Sequence, residues 1–145
     1  MKQFVFALIA SSAIATSAFA QVSVGNAWVR ATVPVQKSSG AFMVLRSAQA
    51  ARLVGVSSPV AASVELHKSS MQDGMMSMDH VDAIDLPAGK DVNLAGGGYH
   101  VMLIGLKRQL KQGETVPLTL QLKRGAATEN VTVQAAVKPI TFKGD

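Results

Sequence analysis

The chain has 145 residues, 14 basic against 9 acidic side chains, a net charge of +5, and no cysteine. That length suits one domain, and the missing cysteine excludes disulfide staples, thiolate metal sites and the His/Cys site of blue-copper electron carriers. The basic residues are scattered and there is one Trp and one Tyr, so no charged, aromatic-lined platform for nucleic acid is present.

In chain order, Lys2 precedes an apolar run from Phe4 to Ala15, and Ala18-Phe19-Ala20 supplies the small-x-small pattern read by signal peptidase. A secretory signal over residues 1–20, cleaved before Gln21, is expected, because the run is too short for a comfortable membrane span. The expected product is a single exported domain over residues 21–145, without a membrane span and monomeric. Losing Lys2 from the 14 basic residues leaves 13 against 9, a net charge of +4.

Short strands separated by turn residues follow, with no helical period. Val22 to Thr32 is rich in β-branched residues and ends at Pro34 and Lys37-Ser38-Ser39-Gly40. Ala41 to Arg46 and Arg52 to Ser57 are compact apolar runs. Val64 to His67 alternates, with Val64 and Leu66 on one face and Glu65 and His67 on the other. Asp73-Gly74 is a hairpin-turn signal. Val92 to Leu94 is a further extended piece, and Gly96-Gly97-Gly98 releases into Tyr99 to Leu106, the strongest strand of the chain. Val116 to Leu122 and Val131 to Val137 complete the set. Strands at this spacing predict an all-β, antiparallel sandwich, and a hydrophobic fraction of 48% gives it a core that stands without staples.

The chemistry is concentrated between His67 and Met102. All three histidines (His67, His80, His100) lie there, with five of the seven methionines: Met71, Met75, Met76, Met78 and Met102. The two-residue period of a strand puts His100 and Met102 on one face, opposite Tyr99, Val101 and Leu103. Alone, an HxM pair is more often a surface histidine, here His100, beside a core-filling methionine, here Met102. The hairpin adds weight. If Asp73-Gly74 is a two-residue turn, Gln72 pairs with Met75, Met71 with Met76, Ser69 with Met78 and His67 with His80. His67, Met78 and His80 then share a face, and Met78 is the diagonal neighbour of His67. Two segments each offer a His and a Met away from the core. Thioether sulfur suits Cu(I) and is a poor ligand for zinc, magnesium or calcium, while imidazole suits copper in either oxidation state. Both ligand types are neutral when bound, so a His2Met2 site takes Cu(I) without the deprotonation that a thiolate requires.

The spacing His67, ten residues, Met78, twenty-one residues, His100, one residue, Met102 resembles the signature of the periplasmic copper chaperones of the PCuAC family. So do Asn26-Ala27-Trp28-Val29-Arg30, Val64-Glu65-Leu66-His67, Gly97-Gly98-Tyr99-His100-Val101-Met102-Leu103 and Gly105-Leu106-Lys107-Arg108. The resemblance covers residues 21–145. It implies a cupredoxin-like Greek-key β-sandwich that binds one Cu(I) per chain through His67, Met78, His100 and Met102 at an exposed edge. It implies a periplasmic location and delivery of copper to the CuA centre of cytochrome oxidase, directly or with a thioredoxin-like copper partner. Some relatives carry a His- and Met-rich tail for a second, oxidised copper; residues 137–145 here hold neither residue type, which argues against that site.

Other readings stay open at this point. Met71, Met75 and Met76 either guide copper or form a hydrophobic hairpin tip that touches a partner. His80 is either a bystander or a ligand for Cu(II). Trp28 and Tyr99 are expected to be core aromatics. The triple glycine feeds a strand and not a helix N-terminus, so it is no phosphate loop. Ser, His and Asp occur without a nucleophile elbow, so no enzyme is predicted. A copper buffer or resistance protein and a metal-free adhesion sandwich are the competing functions.

Overall fold

The computed structural model of the chain describes residues 22–95 and 98–144. The expected signal segment over residues 1–20, and Gly96 and Gly97 of the triple glycine, lie outside them. The described residues form ten strands and no helix: β1 (Val22–Arg30), β2 (Ser38–Ser47), β3 (Ala51–Ser57), β4 (Ala61–Gln72), β5 (Met75–His80), β6 (Ile84–Leu86), β7 (Asp91–Asn93), β8 (Tyr99–Leu106), β9 (Thr115–Arg124) and β10 (Ala127–Lys138). No helix among them is long and apolar enough to cross a membrane.

Hydrogen bonding links the strands in the order β5-β4-β8-β2-β1-β10-β9-β3-β6, with β7 also on β2. Along one edge of β2, β8 pairs with Ser38–Ala41 and β7 pairs with Val44–Arg46. All pairings between strands are antiparallel except one. β1 and β10 run parallel, joined at Trp28↔Ala136, Val29↔Val137 and Arg30↔Lys138. This three-residue junction joins two layers, β5-β4-β8-β2-β1 and β10-β9-β3-β6, which fold onto one another as a cupredoxin-like β-sandwich.

Strand alternation supplies the core. Val29, Ala41, Met43, Leu45, Leu66, Val101 and Leu103 come from the first layer; Leu53, Ile84, Leu86, Val116, Leu118, Leu120 and Leu122 come from the second. All of these are buried in one cluster. At about 25 cal/mol per Å² of apolar surface removed from water, this burial is the main stabilising term.

Several boundaries differ from the sequence expectation, each for a local reason. β1 stops at Arg30, because the Thr32 N–H donates to Leu110 O at 2.9 Å and Thr32 Oγ1 accepts from Leu110 N–H at 2.9 Å. The Thr32 backbone is satisfied by a loop and not by a strand. A bulge interrupts β1 between Gly25 and Trp28, with Asn26 at φ 51°. β6 has no counterpart in the sequence pattern, since three residues show no period. Ile84 and Leu86 nonetheless close the core beside β3. Trp28 is buried, but not in the central cluster. It lies on the outer face, stacked on Phe42 at 4.2 Å and edge-on to Phe142 at 4.8 Å, with the Arg30 guanidinium 5.4 Å from its ring centre. Tyr99 does pack against the core.

Candidate metal site

The β4–β5 hairpin is set by its turn. Asp73 and Gly74 have φ of 51° and 76°, the left-handed pair that a two-residue type I′ turn requires. The register follows as expected: Gln72↔Met75, Met71↔Met76, Ser69↔Met78 and His67↔His80. On the other side of β4, β8 pairs His67 with His100 and Glu65 with Met102.

Alternation then sorts the side chains. Leu66, Val101 and Leu103 point into the core and are buried. Glu65, His67, Ser69 and Met71 of β4, with His100 and Met102 of β8, point outward. The three histidines therefore form one cross-strand row, His80–His67–His100, on strands about 4.7–4.9 Å apart. Met102 is displaced from His67 by one diagonal step on β8, and Met78 by one diagonal step the other way on β5. Among His67, Met78, His100 and Met102, His67 is thus the centre, directly opposite His100 and diagonal to two thioethers, at spacings that long side chains bridge.

Two neighbours orient the imidazoles. His67 Nε2 is 2.8 Å from Glu65 Oε2. With Nε2–H donating to that carboxylate, Nδ1 keeps its lone pair. His100 Nδ1 is 3.2 Å from Ser69 Oγ. The hydroxyl is able either to donate to Nδ1 or to accept from it, and the contact holds the ring in place. A carboxylate partner such as Glu65 fixes the tautomer and raises ligand basicity. The His67 side chain keeps 20% of its exposure, whereas Met78 is 48% exposed. One side of the set is anchored in the sheet and the other is open to solvent.

The flank beside Met102 is apolar. Met102 pairs with Gly40 of β2, and the Phe42 ring lies over that glycine, so close that a Cβ there would sit 2.8 Å from Phe42 Cζ. The missing side chain lets the ring lie flat on the sheet, where it stacks on Trp28.

His80 stands opposite His67, with ring centres 6.3 Å apart at 84°. Among the described residues, no three His, Cys, Asp or Glu side chains converge into a metal-ligand group. The sequence expectation missed Glu65 and Ser69 as orienting groups and Gly40 with Phe42 as the flank. Strict alternation through Glu65, His67 and Ser69 was the available signal for the first two. Nothing local in the sequence announces the third.

Residues 22–137 match the family model described as "Putative lipoprotein LpqE-like". The chain belongs to the LpqE-like family. A protein of Leifsonia xyli subsp. xyli, also named a putative lipoprotein, is 32% identical over 108 residues, covering 74% of this chain. The match spans only 65% of that relative's own length. Among solved structures, the Cu(I)-bound DR1885 protein of Deinococcus radiodurans is 37% identical, with a TM-score of 0.64, covering 89% of this chain and 85% of its own. The copper-bound PCuAC domain of PmoF2 is 26% identical, with a TM-score of 0.66, covering 82% and 93%. The apo PCuAC domain of PmoF1, at 21% identity and a TM-score of 0.67, shares the fold. This LpqE-like chain therefore has the architecture of PCuAC copper-binding domains.

Proposed function

We propose that this chain is a periplasmic copper carrier that holds one Cu(I) through His67, Met78, His100 and Met102 and releases it to an acceptor protein. The acceptor is the CuA centre of cytochrome oxidase, reached directly or through a thioredoxin-like copper protein. The observation that carries this reading is the β5-β4-β8 register, with His67 opposite His100 and a methionine one diagonal step away on either side. Similarity to two structures solved with copper bound supports it. The lipoprotein description of the family and of the Leifsonia relative supports a location outside the cytoplasm.

The chemistry suits a carrier and not an enzyme. Two imidazoles and two thioethers are neutral, so the ion keeps a net single positive charge and binding expels no proton from sulfur. The imidazoles sit on paired central strands and are held by Glu65 and Ser69. Met78 sits on the exposed edge strand, where an incoming thiolate displaces it without disturbing the fold. Release proceeds by exchanging one ligand at a time, with copper remaining Cu(I).

The test is transfer followed by native mass spectrometry. Protein loaded with one Cu(I) is mixed with the soluble CuA fragment of the oxidase, with and without a thioredoxin-like copper protein. Movement of the copper mass to either acceptor is expected. Retention against both indicates a buffer or resistance protein, and failure to take up Cu(I) at all indicates a metal-free sandwich.

A further inference from the structure

The carrier reading uses one methionine of the hairpin and leaves three. Met71, Met75 and Met76 are 65%, 74% and 71% exposed, at the end of the sheet where, among the described residues, β5 has no further strand beside it. These are not core side chains out of place, since Met43 fills that role with 1% exposure. Ordinary β-strand chemistry puts Thr, Lys or Glu at exposed positions of an edge strand. The register separates the three. Met75 is opposite Gln72, on the face away from His67. Met71 and Met76 are directly opposed on the same face as His67, and Met78 is two residues beyond Met76 on that face.

Met71, Met76 and Met78 therefore form a triangle. One side is a directly opposed pair, about 4.5–5.5 Å between Cβ atoms; one is a diagonal of about 7–8 Å. The third is a two-residue step along β5, about 6.4–6.8 Å at the usual strand rise. Each side is short enough for two flexible thioether side chains to meet at one ion. Met78 also has a particular position: it is opposite Ser69, one diagonal step from Met71 and one from His67. Its sulfur is shared in register between the hairpin tip and the histidine row.

We propose that Met71, Met76 and Met78 form a second, all-thioether Cu(I) site at the hairpin tip, through which copper reaches and leaves the His67–His100 site. This inference rests on the carrier reading for its inner site. Three neutral soft donors and no imidazole or carboxylate select Cu(I) over zinc or Cu(II). Transfer inward is ligand exchange. Bonds from copper to Met71 and Met76 break, bonds to His67, His100 and Met102 form, and Met78 stays bound throughout. No electron is transferred and no proton is lost from sulfur. The tip binds more weakly than the inner site, having three exposed ligands in place of four.

The test uses Cu(I) titration against a chromophoric Cu(I) chelator without oxygen, with copper counted by native mass spectrometry and ligands identified by X-ray absorption. Three proteins are compared: the unaltered chain, the Met71→Leu/Met76→Leu variant, and the His67→Ala/His100→Ala variant. Leucine keeps the volume and the exposed position of methionine, so the fold is preserved. The unaltered chain is expected to take a tight first Cu(I) and a weaker second, held by Met71 and Met76 alone while Met78 serves the inner ion. The Met71→Leu/Met76→Leu variant is expected to keep the first at unchanged affinity and lose the second. The double-histidine variant is expected to keep one weakly held Cu(I) with sulfur-only ligation. Equal copper counts and affinities for the unaltered chain and Met71→Leu/Met76→Leu overturn the tip site. The same result with slower transfer to the acceptor also overturns it and makes these methionines docking contacts. Unchanged tight binding in the double-histidine variant overturns instead the carrier reading's inner site, a separate outcome.

Discussion

Methionine appears in two settings in this molecule, and their contrast explains the division of labour. Met43 of β2 is sealed among Leu45, Leu94 and the aliphatic residues of the opposite layer, where its flexibility fills a gap. The methionines of the β4–β5 hairpin stand in solvent, Met71 on β4 and the other three on the edge strand β5. The second layer, β10-β9-β3-β6, has Val116, Leu118, Leu120 and Leu122 almost fully buried and carries no histidine. The first layer presents the same kind of buried face inward and a row of imidazoles and thioethers outward. One layer supplies stability. The other uses that stability to hold exposed imidazoles and thioethers in register.

This contrast can be broken from either side. Leu118→Ala opens a cavity where no solvent reaches, and unfolding stability should fall by about 2–5 kcal/mol, read by chemical denaturation. Cu(I) affinity of the folded fraction should stay unchanged; a matching loss of affinity would show that the two layers are not separable in this way. On the outer face, His100→Ala should lower Cu(I) affinity by more than the roughly 10–100-fold that loss of an orienting partner costs. Chelator competition reads this, with little change in denaturation midpoint for the metal-free protein.

Glu65→Gln keeps the shape beside His67 but removes the carboxylate, so a loss within roughly 10–100-fold is expected. An effect as large as that of His100→Ala would make Glu65 a ligand and not an orienting group. The smallest effect belongs to the turn. Gly74→Ala meets no atom within 4 Å, so its cost comes from φ of 76° alone. That cost is about 1–2 kcal/mol and is read as faster hydrogen exchange of β5 amides, with core amides unaffected. Copper affinity should fall less than for Glu65→Gln.

Much of the site was legible in the sequence because its rules are local. Asp73-Gly74 fixes a two-residue turn, and from that the pairing of His67 with His80 and Ser69 with Met78 follows by counting. Alternation through Tyr99, His100, Val101 and Met102 likewise separates core from surface without any tertiary information. The pairing of His67 with His100 has no local signal, since it joins strands far apart in the chain and depends on the whole sandwich closing. The parallel contact of Trp28–Arg30 with Ala136–Lys138, between the first and last strands, is hidden for the same reason. Trp28 looked like a core aromatic because large aromatics usually are. It is buried on the outer face because Phe42 of β2 and Phe142 near the C-terminus converge over it, joined by Arg30 of its own strand.

The central claim is that two imidazoles and two thioethers on this face hold Cu(I). The most direct measurement is Cu(I) affinity by chelator competition for the unaltered chain and for Met78→Leu/Met102→Leu. These substitutions preserve volume and leave both histidines in place. The tightly held ion should be lost from the variant while its fold and its metal-free stability persist. A variant that binds its first Cu(I) as tightly as the unaltered chain would contradict it.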